Sequence, residues 1–254
     1  MGKIKDRTGE ENYNNFGSKM IIEKYTSSNN IDIYFPEYNY TVFHKVYGDF
    51  KKGKIYCPFE PRTYGVGYFG VGDYTVRDEN GKITKAYQTW HDMLRRCYTD
   101  EWKIANPTYN DCYVNSEWLN FQNFAEWFYL NYYEIDNEIM NLDKDILVKY
   151  NNEYGPETCI YVPHRINNLF IRRESMRGDL PIGVKKSGNK FEASYSDEYS
   201  NKTILGIYNT PEEAFYIYKE YKEKLIKDIA DKYKDQIPYI LYETMYNYEV
   251  EIND

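Results

Sequence analysis

Cysteine is scarce in this chain, and none of it stands in a metal-binding spacing. Cys57, Cys97, Cys112 and Cys159 are far apart, and no pair has CxxC spacing. That argues against a zinc ribbon or finger and makes free thiols in a reducing cytoplasm the expectation. The one zinc arrangement open to the chain is convergence of Cys97, Cys112 and Cys159 with a histidine; the simpler role is as small buried hydrophobes. Long apolar runs are missing too. Nothing approaches the ~18 residues of a membrane span, and the opening MGKIKDRTGE is polar throughout, so neither a membrane nor a signal peptide is expected. A general excess of positive charge is also absent, since the net charge is −8. That excludes a protein basic all over but not a nucleic-acid binder, because what matters there is local clustering.

What is present is a folded composition: 42% hydrophobic and 19% aromatic residues in 254, enough for one large domain or two to three small ones. Tyr is abundant at 31 residues, alongside many Lys, Asn and Ile. All four have A/T-rich codons, which points to a low-GC genome such as a bacterium or its phage. Charge does cluster. Between His164 and Lys190, seven cations (Arg165, Arg172, Arg173, Arg177, Lys185, Lys186, Lys190) face two anions (Glu174, Asp179), a balance of +5. From Ile207 to Asp254, six Lys meet eleven acids, a balance of −5. The basic run is either a solvated face or a nucleic-acid surface.

Residues 12–80 read as a small β module, with MIIEKYT, IDIYF and YTVFHKV separated by Asn, Pro and Gly. The glycine-rich YGVGYFGVGDY that follows lacks the Lys-Ser/Thr of a phosphate loop and reads as a hairpin or linker. Over 85–175, Tyr87, Trp90, Leu94 and Cys97 share one helical face, and Ser116 reads as the N-cap of a helix burying Trp118, Phe121, Ala125 and Phe128. A further helix is expected from Pro163, with Ile166, Leu169 and Phe170 inward. Residues 181–235 predict a three-stranded antiparallel sheet plus one helix. Phe191, Ala193 and Tyr195 alternate with Lys190, Glu192, Ser194 and Ser196, and Thr210-Pro211-Glu212-Glu213 starts the helix. Residues 236–254 read as a short acidic helical tail. The expected fold class is α+β.

Two resemblances add to this. Gly183-Val184-Lys185, Lys190-Phe191, Ala193, Leu205-Gly206-Ile207-Tyr208, Thr210 and Glu212-Glu213-Ala214 with Tyr218 resemble the AP2/ERF DNA-binding domain over about 50 residues. The resemblance implies that the outward sheet face enters the major groove. The face would comprise Lys185, Lys186, Asn189, Lys190, Ser194, Ser196, Lys202 and Ile204, with Lys, Ser and Asn where that family carries several Arg and Trp. Arg165, Arg172 and Arg173 of the preceding basic segment would add to it. The segment 85–175 resembles the HNH-type (ββα-metal) proteins of phages. The matching residues are Trp90, Met93, Arg96-Cys97-Tyr98, Trp118 with Phe121 and Phe124, Leu142-Asp143, Asn152, Tyr154, Pro156-Glu157, Cys159 and Asn167-Asn168.

An HNH core implies a histidine base, an Asn that orients it, and a divalent metal held by an Asp and a final His or Asn. Here Lys144 stands at the base position and Thr158 at the orienting position. Asp143 with Asn167 or Asn168 would be the surviving metal pair. A lysine of ordinary pKa is protonated, accepts no proton and repels a metal, but suits a phosphate. His91 and His164 are the stand-in bases to weigh, and Asp143 with Asp145 a rearranged metal pair, against Asp143 simply capping its loop.

The chain therefore reads as a cytoplasmic phage protein that binds double-stranded DNA through a degenerate HNH-like core and an AP2-like domain. No cofactor is expected. The alternatives are an active homing or nicking endonuclease using Mg²⁺ or Mn²⁺, and a phage inhibitor that binds a host protein.

Overall fold

A computed structural model of the chain describes residues 5–171, 178–197, 199, 201–252 and 254. The architecture is mixed α+β with several small sheets, divided into two compact units, Met1–Leu130 and Asn131–Asp254. The boundary falls inside the 85–175 segment expected as one HNH-like module.

The first unit begins with an antiparallel meander of four strands, β1 (Glu11–Tyr13), β2 (Lys19–Ser27), β3 (Asn30–Phe35) and β4 (Tyr40–Lys45), in sequence order across the sheet. β3 alternates strictly: Ile31, Ile33 and Phe35 are buried, and with Met20, Ile22, Val42 and Phe50 of α1 (Tyr47–Lys51) they form its core. Later come α2 (Lys85–Tyr98), α3 (Asp100–Ala105), β5 (Tyr113–Val114) and α4 (Phe121–Asn131). The expected aromatic faces are buried, with Trp90, Leu94 and Cys97 on α2 and Phe121, Ala125 and Phe128 on α4. The Trp90 indole donates to the Trp118 carbonyl oxygen at 2.7 Å.

Ser116 is not the N-cap of α4. Asn115 caps a separate 3₁₀ turn over Ser116–Leu119 by accepting from the Glu117 amide, and the α-helix starts only at Phe121. The glycine-rich stretch carries a tight hairpin, Thr63 paired with Gly67. A side chain at Gly67 would sit 2.4 Å from Leu94 and 2.9 Å from Trp90, so this glycine is there for close packing.

The second unit holds two cores on one helix. β6 (Met140–Asp143) pairs antiparallel with β8 (Ile160–Pro163), and β7 (Glu153–Tyr154) lies in the loop between them. α5 (His164–Leu169) follows β8 directly, burying Ile166 and Leu169 with Phe170 packed beside them. Next comes a three-stranded antiparallel sheet in the order β11-β10-β9, formed by β9 (Val184–Ser187), β10 (Lys190–Ser196) and β11 (Lys202–Tyr208). α6 (Pro211–Tyr233) starts with a full capping box: Thr210 accepts from the Glu213 amide, and Glu213 accepts from the Thr210 amide.

Ala214, Phe215 and Tyr218 of α6 pack on Val184 and Ala193 of the sheet. Two turns and more further on, Ile226, Ile229, Ala230 and Tyr233 pack on Ile160, Val162, Ile166 and Leu169. The two segments expected as separate modules thus share a helix. Each large side chain fully buried there contributes roughly 1.5–3 kcal/mol. Gly183, at φ +75°, lets Tyr218 lie against the sheet, since a Cβ there would be 2.1 Å from its ring. The expected acidic tail packs inward: α7 (Tyr239–Tyr246) buries Leu241 and Met245 in the second core.

Candidate nucleic-acid interface

The loop after β6 determines what Asp143 and Lys144 can do. The Asp143 Oδ1 accepts from the amides of Asp145 and Ile146 at 2.8 and 2.7 Å, a turn closed by its own side chain. The residue as a whole is half-buried, but its carboxyl is covered by protein. That burial pushes it above the usual carboxylate range, aided by the Asp145 charge and opposed by the two amides and Lys144.

Lys144 is only 7% exposed. Its Nζ donates to the Asp145 carboxylate at 2.8 and 2.9 Å and to the Asn151 carbonyl oxygen at 2.6 Å, and it lies 5.9 Å from the Tyr154 ring centre. The ammonium is therefore engaged inside the loop. Asn151 completes the clasp, donating to the carbonyl oxygens of Lys144 at 2.9 Å and Glu153 at 2.6 Å. Thr158 donates to the Glu153 carbonyl oxygen at 2.9 Å, so it too holds the turn.

Asn167 and Asn168 are half-buried on α5 between Ile166 and Leu169. His164 is exposed at the start of α5, while His91 belongs to the other unit, where the Tyr64 hydroxyl lies 3.1 Å from its Nε2. Among the described residues no three His, Cys, Asp or Glu side chains converge as a metal-holding group. The four cysteines are buried, and burial pushes the Cys159 thiol up to about 12.

Strand register sorts the basic residues by face. Glu192 is paired with Lys185 on one side and Ile207 on the other; Ser194 is paired with Ile204 and Ser196 with Lys202. Directly paired residues share a face. The outward face thus carries Lys185, Lys190, Glu192, Ser194, Ser196, Lys202, Ile204 and Ile207, and Asn189 is exposed in the β9–β10 turn. Lys186 is paired with Phe191, so it shares the helix-side face and emerges at the sheet edge. Phe191, Ala193 and Tyr195 face α6 as expected, with the Tyr195 ring stacked on Tyr221 at 6.4 Å.

Glu192 is the residue sequence reasoning underrated. Its Oε1 lies 3.0 Å from Lys202 Nζ and 3.3 Å from Lys185 Nζ. Lys202 first, then Lys185, hold its carboxyl below the usual range. Ile207 was missed because the sheet has a bulge at Ala193/Ser194. Counting every second residue from Ile204 puts Gly206 outward, and the extra residue in β11 shifts the alternation by one.

Arg165 is engaged within the unit, 3.2 Å from Glu138 and 5.1 Å over the Tyr199 ring. Arg172 and Arg173 lie outside the described residues. Compared with protein-family models, curated proteins and solved structures, the chain has no match. No helix among the described residues is long and apolar enough to cross a membrane.

Proposed function

We propose that this chain is a double-stranded-DNA-binding protein of the phage kind, built on an HNH-derived core that holds DNA without cutting it. The observation that carries the reading is the outward face of the three-stranded sheet. Lys185, Lys190 and Lys202 lie there with Ser194 and Ser196, backed by α6, and among the described residues of the three strands Glu192 is the acid that offsets them. Lysine ammoniums and serine hydroxyls on a two- to three-strand surface suit phosphates and groove edges.

The non-cutting half rests on the β6–β8 loop. A base must be free to take a proton, and the Lys144 ammonium makes hydrogen bonds to Asp145 and Asn151 instead. The same ammonium beside Asp145 opposes a cation at that carboxylate. Asp143, Asn167 and Asn168 are what the core offers a Mg²⁺ or Mn²⁺ ion, and Asp143 already accepts two amides.

The test is a gel shift of supercoiled plasmid run beside a nicking assay with Mg²⁺ or Mn²⁺. The plasmid should shift and stay supercoiled. Replacing Lys185, Lys190 and Lys202 with Ala should weaken binding and flatten its dependence on salt, because fewer counterions are released. A triple variant that binds like the parent at every salt concentration removes the sheet from the interface. Metal-dependent nicking by the parent, abolished by Asp143→Ala, makes the endonuclease alternative correct.

A further inference from the structure

The outward sheet face is not purely polar. Ile204 is 59% exposed and Ile207 55%, both on β11, where they stand opposite Ser194 and Glu192 on adjacent outward rungs. Two exposed β-branched side chains thus lie side by side between Lys185 and Lys190 on one flank and Lys202 at the far end of the same face.

We infer that this apolar pair is the sequence-reading element of the DNA face, selecting thymine-rich sites by contact with thymine C5-methyl groups. The inference rests on the DNA-binding reading above and goes beyond it by naming the base. In the major groove, the thymine methyl is the one apolar group that any base presents, and aliphatic side chains contact it. The surrounding residues leave little else to read with. No Arg stands on the described face to take guanine O6 and N7 bidentately, and lysines act as point charges better suited to phosphates. Glu192 sits on the rung of Ile207 with its Oε1 shared by two lysines. At 7% exposed and held by both ammoniums, this carboxylate is not free to accept from a cytosine amino group.

Methyl readout has a direct test. Three duplexes of equal length are titrated by fluorescence anisotropy at one low salt concentration: a thymine-rich site, the same site with deoxyuridine for every thymidine, and a G·C-rich site. Deoxyuridine removes only the methyl. Burying one such group is worth about a fourfold factor in affinity, so the thymine duplex should bind roughly 4- to 16-fold tighter than its deoxyuridine twin. The Ile204→Ala/Ile207→Ala variant should bind both equally while keeping its lysine-dependent affinity. Ile204→Thr, which preserves β-branching and one methyl, guards against a strand defect and should retain part of the preference.

Equal binding of the thymine and deoxyuridine duplexes by the parent overturns methyl readout while leaving DNA binding in place. A preference that survives the double alanine change overturns the assignment to these residues. Tightest binding of the G·C-rich duplex overturns it as well. Failure to bind any duplex overturns this inference and the DNA-binding reading together.

Discussion

Glu192 and Lys202, 3.0 Å apart on the outward face of the three-stranded sheet, place an anion in the middle of the surface proposed to meet phosphates. With Lys185 on its other side, the carboxylate turns two free cations into a triad of net +1. Glu192→Gln should therefore tighten DNA binding and steepen the dependence of log affinity on log salt by about 0.9 for each phosphate newly neutralised. Anisotropy titrations at four or five salt concentrations give both numbers, and an unchanged slope would count against this face.

Lys190 is outside that triad. Lys190→Ala should accordingly weaken binding more than Lys185→Ala, whose ammonium is already shared with Glu192. The salt slope should fall by about 1 for Lys190→Ala and by clearly less for Lys185→Ala. The same titrations compare the two variants.

Lys144 and Thr158 fasten one loop, so restoring a nuclease-like pair there should loosen the fold rather than create activity. Lys144→His with Thr158→Asn removes the ammonium bonds to Asp145 and Asn151 and the hydroxyl bond to Glu153. Each lost buried hydrogen bond costs about 1–3 kcal/mol. Urea denaturation should show a stability loss on that scale, and plasmid with Mn²⁺ should stay supercoiled. Nicking by the double variant would mean that a working metal site persists.

Lys222 is 7% exposed on the inward side of α6, between the residues that pack on the sheet and those that pack on α5. It has no hydrogen-bond or ion-pair partner among the described residues, and burial pushes it down to about 8. In the unfolded chain a lysine titrates near ~10.4. Between those values the unfolded state holds a proton the folded state has released, so stability rises as pH rises from about 8. At pH 7 both states are protonated, and the buried ammonium costs on the order of 3 kcal/mol. Lys222→Met should raise stability at pH 7 by roughly 1–3 kcal/mol and flatten the rise between pH 7.5 and 9. Denaturation midpoints across that window, kept below the tyrosine range, check the sign.

The chain after α7 is tied to the β6–β8 loop through Asp254, which accepts from Tyr150 at 2.9 Å and Lys149 at 3.2 Å, while Lys149 also donates to the Glu249 carbonyl oxygen at 2.6 Å. Burial opposes ionisation of Asp254, yet the Glu251 amide, Tyr150 and Lys149 prevail and hold it below its usual range. Its contribution is therefore present above about pH 4 and lost as pH falls below that. Asp254→Asn should speed amide hydrogen exchange in 146–151 and 249–254 at pH 7 and leave the β9–β11 sheet unchanged.

What the sequence determined by itself was local. Thr210-Pro211-Glu212-Glu213 specifies a helix start because cap, proline and acids act within one turn. Ile31, Ile33 and Phe35 specify a strand face, and Trp90, Leu94 and Cys97 a helix face, because each period repeats within a few residues.

Only the tertiary structure decided that Lys144 is enclosed by Asp145 and Asn151, and that Glu192 lies between Lys185 and Lys202. The same holds for the two cores sharing α6 and for Asp254 closing on residues 149 and 150. The bulge at Ala193/Ser194, which turns Ile207 outward, belongs with them. The physical reason is common to all of these. Side-chain period fixes which face a residue takes along its own element, but its partners are set by where the chain turns back, from 7 positions on for Lys144 and Asn151 to 104 for Tyr150 and Asp254, and one extra residue in a strand reverses every face beyond it.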